Sequence, residues 1–477
     1  MERLRVFAHQ TVMFSHRWPL PFPPRALLLA VVVAVGATEA RAQTGAPGAL
    51  AEELLPGLAP ILRRAVERSP DAIKRGLELE QAEARTYVSR GAMLPNLAVN
   101  GRYGVNQAST TSGTNQITNN SSGFYYDVGL NQPLYHWGAL QAQADIDQIG
   151  VKIAAREYAD AARLLVGQVR ARYLELVTKK SALRRDQFQF ELATKGFAAL
   201  EDQLAAGRAT AAEVAAARVG LQMARLGLDQ KLADLAYAKR VLQRLAGLDD
   251  LPDDTIPAQL PTPAPAADRG EGMLRAFLGG GATETDRGRV FTLGIARAEL
   301  DFRIAKTGLY PKFFLNLSHN VSNSTQAGFG VLHQEAIAQN SVSLGVNWTV
   351  FDGLATRGRT REALARKRVN ERQLQTYVEA TADAAQNLRQ LADFAARALD
   401  FAENALGGAR GNLAVAKENL ARGHAAPDDV AAADAGVLAA ETTAVLARAE
   451  FLNRWADFVS LVGADPVMKL LPPRYVR

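Results

Sequence analysis

The chain has 477 residues, 48% of them hydrophobic, no cysteine, and a formal net charge of +6. That length accommodates two or three ordinary domains or one elongated one, and the missing cysteine excludes disulfides and acylation on an N-terminal cysteine. Much of the positive charge sits in the segment 1–42, where Arg3, Arg5, Arg17, Arg25 and Arg41 face Glu2 and Glu39. No dense Lys/Arg cluster is read in the remainder, which argues against a nucleic-acid partner.

In chain order, arginines precede an apolar run at Ala26–Val35, and Ala40-Arg41-Ala42 gives the small-x-small pattern ahead of Gln43. Residues 1–42 are therefore expected to be an export signal peptide. A membrane anchor would need about 18–20 apolar residues, and the run is too short. No later segment reads as a transmembrane helix. A helix is expected over roughly 70–93.

Four segments then alternate with period two, in two pairs. In Leu97–Asn106, Leu97, Val99, Tyr103 and Val105 oppose Asn100, Arg102 and Asn106. In Phe124–Leu134, Phe124, Tyr126, Val128 and Leu130 oppose Asp127, Gly129 and Asn131. Phe313–Val321 and Ser341–Phe351 repeat the pattern, with Leu315, Leu317, Val342, Leu344 and Val346 opposed by Asn316, Ser318, Ser343 and Asn347. Each is a strand with one apolar and one Asn/Ser/Gly-rich face, which suits a lipid-facing wall and a wetted lumen. The Ser/Thr/Asn/Gly-rich stretches Gln107–Ser122 and Ser322–Gln339 read as long polar loops.

After each second strand, proline is absent from Pro133 to Pro252 and from Pro311 to Pro427. Residues 139–206 are rich in helix formers and predict a helix about 100 Å long at 1.5 Å per residue. Gly207 marks a turn, and the chain returns through 211–246. On that return Val214, Leu221, Leu228, Leu235 and Leu242 recur at every seventh position, as do Val430, Val437, Ala444, Phe451 and Phe458 later on. A sustained apolar heptad repeat is a coiled-coil seam. The shorter helices 70–93 and 211–246 stack end to end along the long one, and 287–309 and 427–462 do the same along 355–422.

One offset organises all of this. Leu94-Pro95 recurs as Tyr310-Pro311, Leu130-Asn131 as Val346-Asn347, Gly207 and Val214 as Gly423 and Val430, and Leu245-Ala246-Gly247 as Leu461-Val462-Gly463. The step in numbering is the same each time (310 − 94 = 216, 423 − 207 = 216). A fixed long period means one unit built twice. The expected organisation is a first repeat at 43–250, a linker or equatorial segment at 251–286, a second repeat at 287–465, and a tail at 466–477. Four strands cannot close a barrel in lipid, where the smallest use eight. Strands of this kind require copies of the chain to share one barrel, with the helices projecting from one rim as a tube.

In the strand entries Leu94-Pro95 and Tyr310-Pro311, the strand exits Asn131–Tyr135 and Asn347–Gly353, and the turns Gly207–Val214 and Gly423–Val430, the chain resembles the TolC-like outer-membrane efflux proteins. The resemblance covers nearly the whole mature length. It implies a mainly α fold with membrane β-structure: a homotrimer with a shared twelve-stranded barrel in the outer-membrane lipid and a periplasmic α-barrel. It implies a passive conduit serving a periplasmic adaptor and an inner-membrane pump, for drugs, metals, small molecules or secreted protein. It places Glu213 and Asp429 at the periplasmic aperture, and Gly207, Arg208, Gly423 and His424 at the adaptor-contact tip. The family's aperture can also carry a tyrosine, an arginine and a second acid where this chain has Leu420, Ala425 and Ala432. Arg208, Arg422 and His424 are the residues available to compensate.

Each acid also has a local reading. Thr210-Ala211-Ala212-Glu213 is a capping box, and Asp428 and Asp429 follow Pro427 at a helix start, where acids suit the helix dipole. The histidines lack metal-ligand spacing, Gly279-Gly280-Gly281 lacks a phosphate-loop lysine and reads as flexible loop, and no nucleophile–base arrangement is visible. Neither an enzyme nor a bound cofactor or metal is expected. The competing reading is a soluble periplasmic coiled-coil scaffold with its hairpins packed on the helices.

Overall fold

The computed structural model describes residues 47–113, 115–328, 331–466 and 471. The expected signal peptide at 1–42 lies outside the described residues, as does the expected tail except for Pro466 and Leu471.

The chain opens on three helices that end in a strand pair: α1 Ala51–Leu54, α2 Leu58–Arg68, α3 Pro70–Gly91, β1 Asn96–Ser112 and β2 Asn115–Tyr135. A 67-residue helix, α4 Ala139–Ala205, runs out from the strands, and the 36-residue α5, Ala211–Ala246, returns. The linker holds α6 Ala267–Ala276 and α7 Ala282–Glu284. The second unit follows as α8 Asp286–Lys306, β3 Lys312–Gly328, β4 Val331–Asn347, α9 Ala355–Ala421 and α10 Pro427–Leu461. The starts of α3 and α8, β1 and β3, β2 and β4, α4 and α9, and α5 and α10 are all separated by that one step (286 − 70 = 216, 355 − 139 = 216). The internal repeat is thus a repeat of element lengths.

Both shorter helices of each unit pack on its long one: α3 and α5 on α4, and α8 and α10 on α9. The units interlock because α4 also packs on α8 and α10. Heptad positions supply the contact. Val214, Leu242, Ala444, Phe451 and Phe458 are buried, while Leu221, Leu228, Leu235, Val430 and Val437 are half-buried. Off the seam, Met223 is 69% and Leu226 59% exposed. By length and composition α10 is apolar enough to cross a membrane, contrary to the sequence reading, because alanine dominates its first half. Its second half buries Val445, Leu452, Trp455 and Phe458.

The densest core lies where the units meet. Leu58, Leu62 and Val66 of α2 pack with Val166, Val169, Tyr173 and Val177 of α4, Leu242 of α5 and Leu452 of α10. Each such leucine contributes about 1.5–3 kcal/mol by leaving water. The linker joins this core through Leu251, Ile256 and Leu260. Tyr173 donates its hydroxyl to the Thr255 carbonyl, and burial pushes that hydroxyl up to about 12. Arg170, 2% exposed, holds Glu52 of the first segment and Asp465 beyond α10 at once. Gly279-Gly280-Gly281 is not a free loop. It closes a π-type turn over Phe277–Gly281, which Gly280 permits by taking φ 125°.

The strands depart most from expectation. Neither Gln107–Ser122 nor Ser322–Gln339 is a long loop. β1 continues to Ser112, β2 begins at Asn115, and β3 and β4 fill most of the second stretch. Apolar alternation stops there, but the backbone ladder continues, and Ser109 and Thr118 share a 3.0 Å hydroxyl hydrogen bond across it. At its other end β4 stops at Asn347, short of the expected Phe351.

Candidate functional site: a two-faced sheet and two helical tips

The four strands form one antiparallel sheet in the order β1-β2-β3-β4. Its register aligns the alternation across all four. Leu97, Leu130, Leu317 and Val342 make one apolar row, and Tyr103 with Phe124 extends that face. In the row between them, Val99 and Val128 continue into His319 and Asn340, which hydrogen-bond each other at 2.7 Å and so spend their polarity locally. The opposite face reads Asn96, Asn131, Asn316, Ser343 in one row and Asn100, Asp127, Asn320, Gln339 in another. Amides and hydroxyls there link laterally: Asn100 to Asp127 at 3.1 Å, Ser318 to Ser341 at 2.7 Å, and Asn131 to Asn316. Arg102 lies over the Tyr125 ring.

Among the described residues nothing covers the apolar face. The strands pack on each other and not on the helices, so Leu97, Val99, Tyr103 and Val342 remain 66–75% exposed. This is not the arrangement that the scaffold reading requires, with hairpins packed on helices. The apolar band covers about nine residues per strand, close to the ~25 Å band of a membrane barrel once strand tilt is allowed for. The polar ends of the hairpins extend beyond it. β1 and β4 are both edges, each 17 residues long, with one side of the ladder unpaired among the described residues.

The corners between sheet and long helices are aromatic. Trp137 stacks edge-on against Tyr135 and Tyr310 at 5.0 and 5.1 Å and donates its indole N–H to the Pro311 carbonyl at 2.8 Å. Trp348 donates to the Leu309 carbonyl at 3.0 Å. Both corners use left-handed backbone, at Trp137-Gly138 and Gly353-Leu354. Before α9, Asp352 Oδ2 accepts from the Thr356 N–H and hydroxyl, each at 2.7 Å, and so caps the helix. Tyr135, Tyr310 and Trp348 belong to the strand entries and exits singled out in the sequence, whereas Trp137 was not picked out.

At the far ends of the helices the two tips match. Gly207 and Gly423 take φ 70° and 75°. The next N–H closes the turn, from Arg208 to the Gln203 carbonyl at 2.7 Å and from His424 to the Asn419 carbonyl at 2.8 Å. Each is a Schellman-type stop that requires glycine at the left-handed position. Glu213 Oε2 accepts from the Thr210 N–H and hydroxyl at 2.7 and 2.8 Å, and these bonds hold its carboxyl below the usual range. Asp429 Oδ2 accepts from the Ala426 N–H at 2.7 Å. Each acid is therefore bonded to its own turn. Arg422 pairs one turn back with Glu418 rather than with Asp429, and Arg208 has no ion pair among the described residues. There, too, no group of three or more His, Asp or Glu could hold a metal ion.

A family model described as outer membrane efflux protein matches residues 61–248 and 290–464. The chain belongs to that family. Among solved structures it is similar to the CmeC outer membrane channel of Campylobacter jejuni, at 14% identity and TM-score 0.65 over 96% of this chain and 98% of that one. It is similar also to the outer membrane protein VceC of Vibrio cholerae, at 16% identity and TM-score 0.61 over 87% and 98%. A membrane protein from Pseudomonas aeruginosa aligns at 16% identity and TM-score 0.64 over 89% and 98%. At these identities the structures establish the fold. No individually curated protein matches significantly.

Proposed function

We propose that this chain forms a trimeric outer-membrane channel, with twelve strands closing one barrel and the long helices continuing it as a periplasmic tunnel. The observation that carries the reading is the sheet itself, which among the described residues has one apolar face without a cover and two 17-residue edges without a partner. In lipid each unpaired backbone group costs several kcal/mol, so β4 of one copy must pair with β1 of the next until the sheet closes. Family membership favours three copies. The amide- and hydroxyl-lined face then surrounds a water-filled lumen, and the conduit is passive.

The channel serves a periplasmic adaptor and an inner-membrane pump, with Gly207, Arg208, Gly423 and His424 at the contact tip. Glu213 and Asp429 each supply three carboxylates to the periplasmic aperture. A carboxylate that caps a helix through one oxygen remains charged, so capping and lining are compatible. Acidic rings attract cations.

Cross-linking in native membranes tests the assembly and should trap dimers and trimers. A monomer that fractionates as soluble protein refutes it. For the aperture, Asp429→Asn should lower cation selectivity and weaken block by trivalent cations in planar bilayers with the trimer intact. Glu213→Gln is the companion variant, because glutamine completes the capping box and removes only charge. Conduction and block unchanged from the parent would reduce Asp429 to a helix-start acid.

A further inference from the structure

The first turns of α9 carry a charge density that their counterpart in α4 lacks. Ala355–Arg372 holds seven arginines and lysines against two glutamates, whereas the equivalent Ala139–Arg156 holds two basic and two acidic side chains. The sequence reading that found no dense basic cluster beyond Ala42 is corrected here.

Position gives the cluster its meaning. The corner just before α9 exposes Trp348, Val350, Phe351 and Leu354 to 59–76%. Apolar and indole side chains at the end of a membrane sheet belong at the headgroup boundary. At 1.5 Å per residue, Arg357, Arg359 and Arg361 lie roughly 3, 6 and 9 Å beyond the start of α9. The headgroup layer of one leaflet is about 5–8 Å thick, and arginine heads reach further on their apolar stems. Arg372, roughly 26 Å along the helix, is past the screening length of about 8 Å.

Availability agrees with position, although it also leaves Arg368 and Arg372, further along the helix, exposed and outside any salt bridge among the described residues. Lys367 is held by Glu299, and Arg366 pairs with Glu362 at 2.7 Å. Arg357, Arg359 and Arg361 are exposed, and none forms a salt bridge among the described residues. At about 100° per residue, Arg357 and Arg361 share one face of α9 and Arg359 lies on the opposite one. In a helix that forms part of a tube wall, one of those faces looks outward, so at least one guanidinium meets the headgroups whichever it is. Guanidinium is the side chain best matched to a phosphate oxygen pair.

We propose that the start of α9 binds the headgroups of anionic phospholipids in the leaflet on the helix side of the sheet, with the outward-facing set, Arg357 with Arg361 or Arg359 alone, as donors. This rests on the membrane reading of the sheet. The collar comes from the second unit alone, so a trimer carries it three times around the barrel rim. It anchors the vertical position of the barrel and enriches acidic lipid around it.

The test uses delipidated full-length protein in detergent, titrated with phosphatidylglycerol or phosphatidylcholine, with bound lipid counted by native mass spectrometry. Each arginine near an anionic surface is expected to contribute about fivefold. The parent should prefer phosphatidylglycerol by about fivefold or more at about 0.15 M salt, less at higher salt. The combined Arg357→Gln, Arg359→Gln and Arg361→Gln variant should lose that preference, the corresponding lysine variant should keep most of it, and Arg372→Gln should keep all of it. If the combined glutamine variant does not fold, single substitutions should each lower the preference of the outward-facing set. Equal retention of both lipids by the parent overturns the proposal. So does an altered ion selectivity in the glutamine variant with lipid preference unchanged, which would put these arginines in the lumen. A parent that conducts in planar bilayers without lipid preference refutes the lipid site alone, whereas one that never inserts refutes the membrane reading beneath it.

Discussion

Replacing Arg170 by methionine tests how the two units are held together. Arg170 sits in the middle of α4, 2% exposed, with its Nη2 2.6 Å from Glu52 and its Nη1 2.5 Å from Asp465, which is itself 2% exposed. Nε and Nη2 reach both Glu52 oxygens, at 2.9 and 2.6 Å, so that fork is bidentate. Methionine fills much of the space but removes the guanidinium that compensates two carboxylates, one of them 2% exposed. Removing one partner of a buried ion pair costs about 3–5 kcal/mol. Adding Glu52→Gln and Asp465→Asn to Arg170→Met removes all three charges and should recover most of the loss, since a neutral replacement of a buried pair is often nearly isoenergetic. The assay is thermal and urea unfolding of the purified protein, followed by circular dichroism and by heat-modified gel mobility. A single variant that melts within about 1 °C of the parent, or a combined variant no better than the single one, refutes the argument that Arg170 is a charge-compensated link between units.

Two further variants probe the helical hairpins. Leu228→Asp places an unpaired carboxylate in a half-buried heptad position and should cost at least about 2 kcal/mol, whereas exposed Lys231→Asp should stay within about 0.5 kcal/mol of the parent; equal midpoints would remove the seam assignment. Glu403 is pulled upward by burial, but this is outweighed by the hydrogen bonds and charge of Arg448 and the hydroxyl of Thr262, so its carboxyl titrates below the usual value. A depressed folded value means stability that is present above the unfolded value of about 4.3 and lost as pH falls through the folded one. Glu403→Gln should therefore melt lower than the parent at neutral pH and converge with it at acid pH, and a constant gap across the titration would disprove the linkage.

The architecture was legible because duplication reports lengths as well as types. Gly207 and Gly423, one repeat step apart, fix both tips, and the leucine heptads fix which side of α5 meets α4. The hairpin ends were misread because hydrophobic alternation stops where the strand leaves the apolar band. Thr, Ser and Asn rows carry the ladder on without an apolar signature. The core between the units was only partly visible. α2 announces itself by Leu58, Ile61, Leu62, Ala65 and Val66 at helical spacing, a signal that went unused. Leu251, Ile256 and Leu260 belong to an aperiodic stretch, where pattern carries no information about burial. Arg170 is one of many arginines on a long polar helix, and only packing from α1 and the segment after α10 makes it buried.

Comparison of the two units separates geometry from chemistry. Where they agree, in element starts, left-handed tip glycines and an acid at the sixth position beyond each, the shared requirement is a helical hairpin of fixed length with a capped return. Where they differ, each half has something of its own to do. α9 has the arginines beside the aromatic corner, and α4 in the same place has Asp145 and Asp147. α9 also has Gly407, Gly408 and Gly411 where α4 has Glu191, Leu192 and Lys195, and each glycine inside a helix costs about 1 kcal/mol relative to alanine. A Cβ added at any of the three would meet nothing within 4 Å, so close packing inside the chain does not require them. The cluster therefore weakens α9 near its tip but does not rank the returning helices that carry the two acids, because α5 holds Gly220 and Gly227 beyond Glu213 and α10 holds Gly436 beyond Asp429.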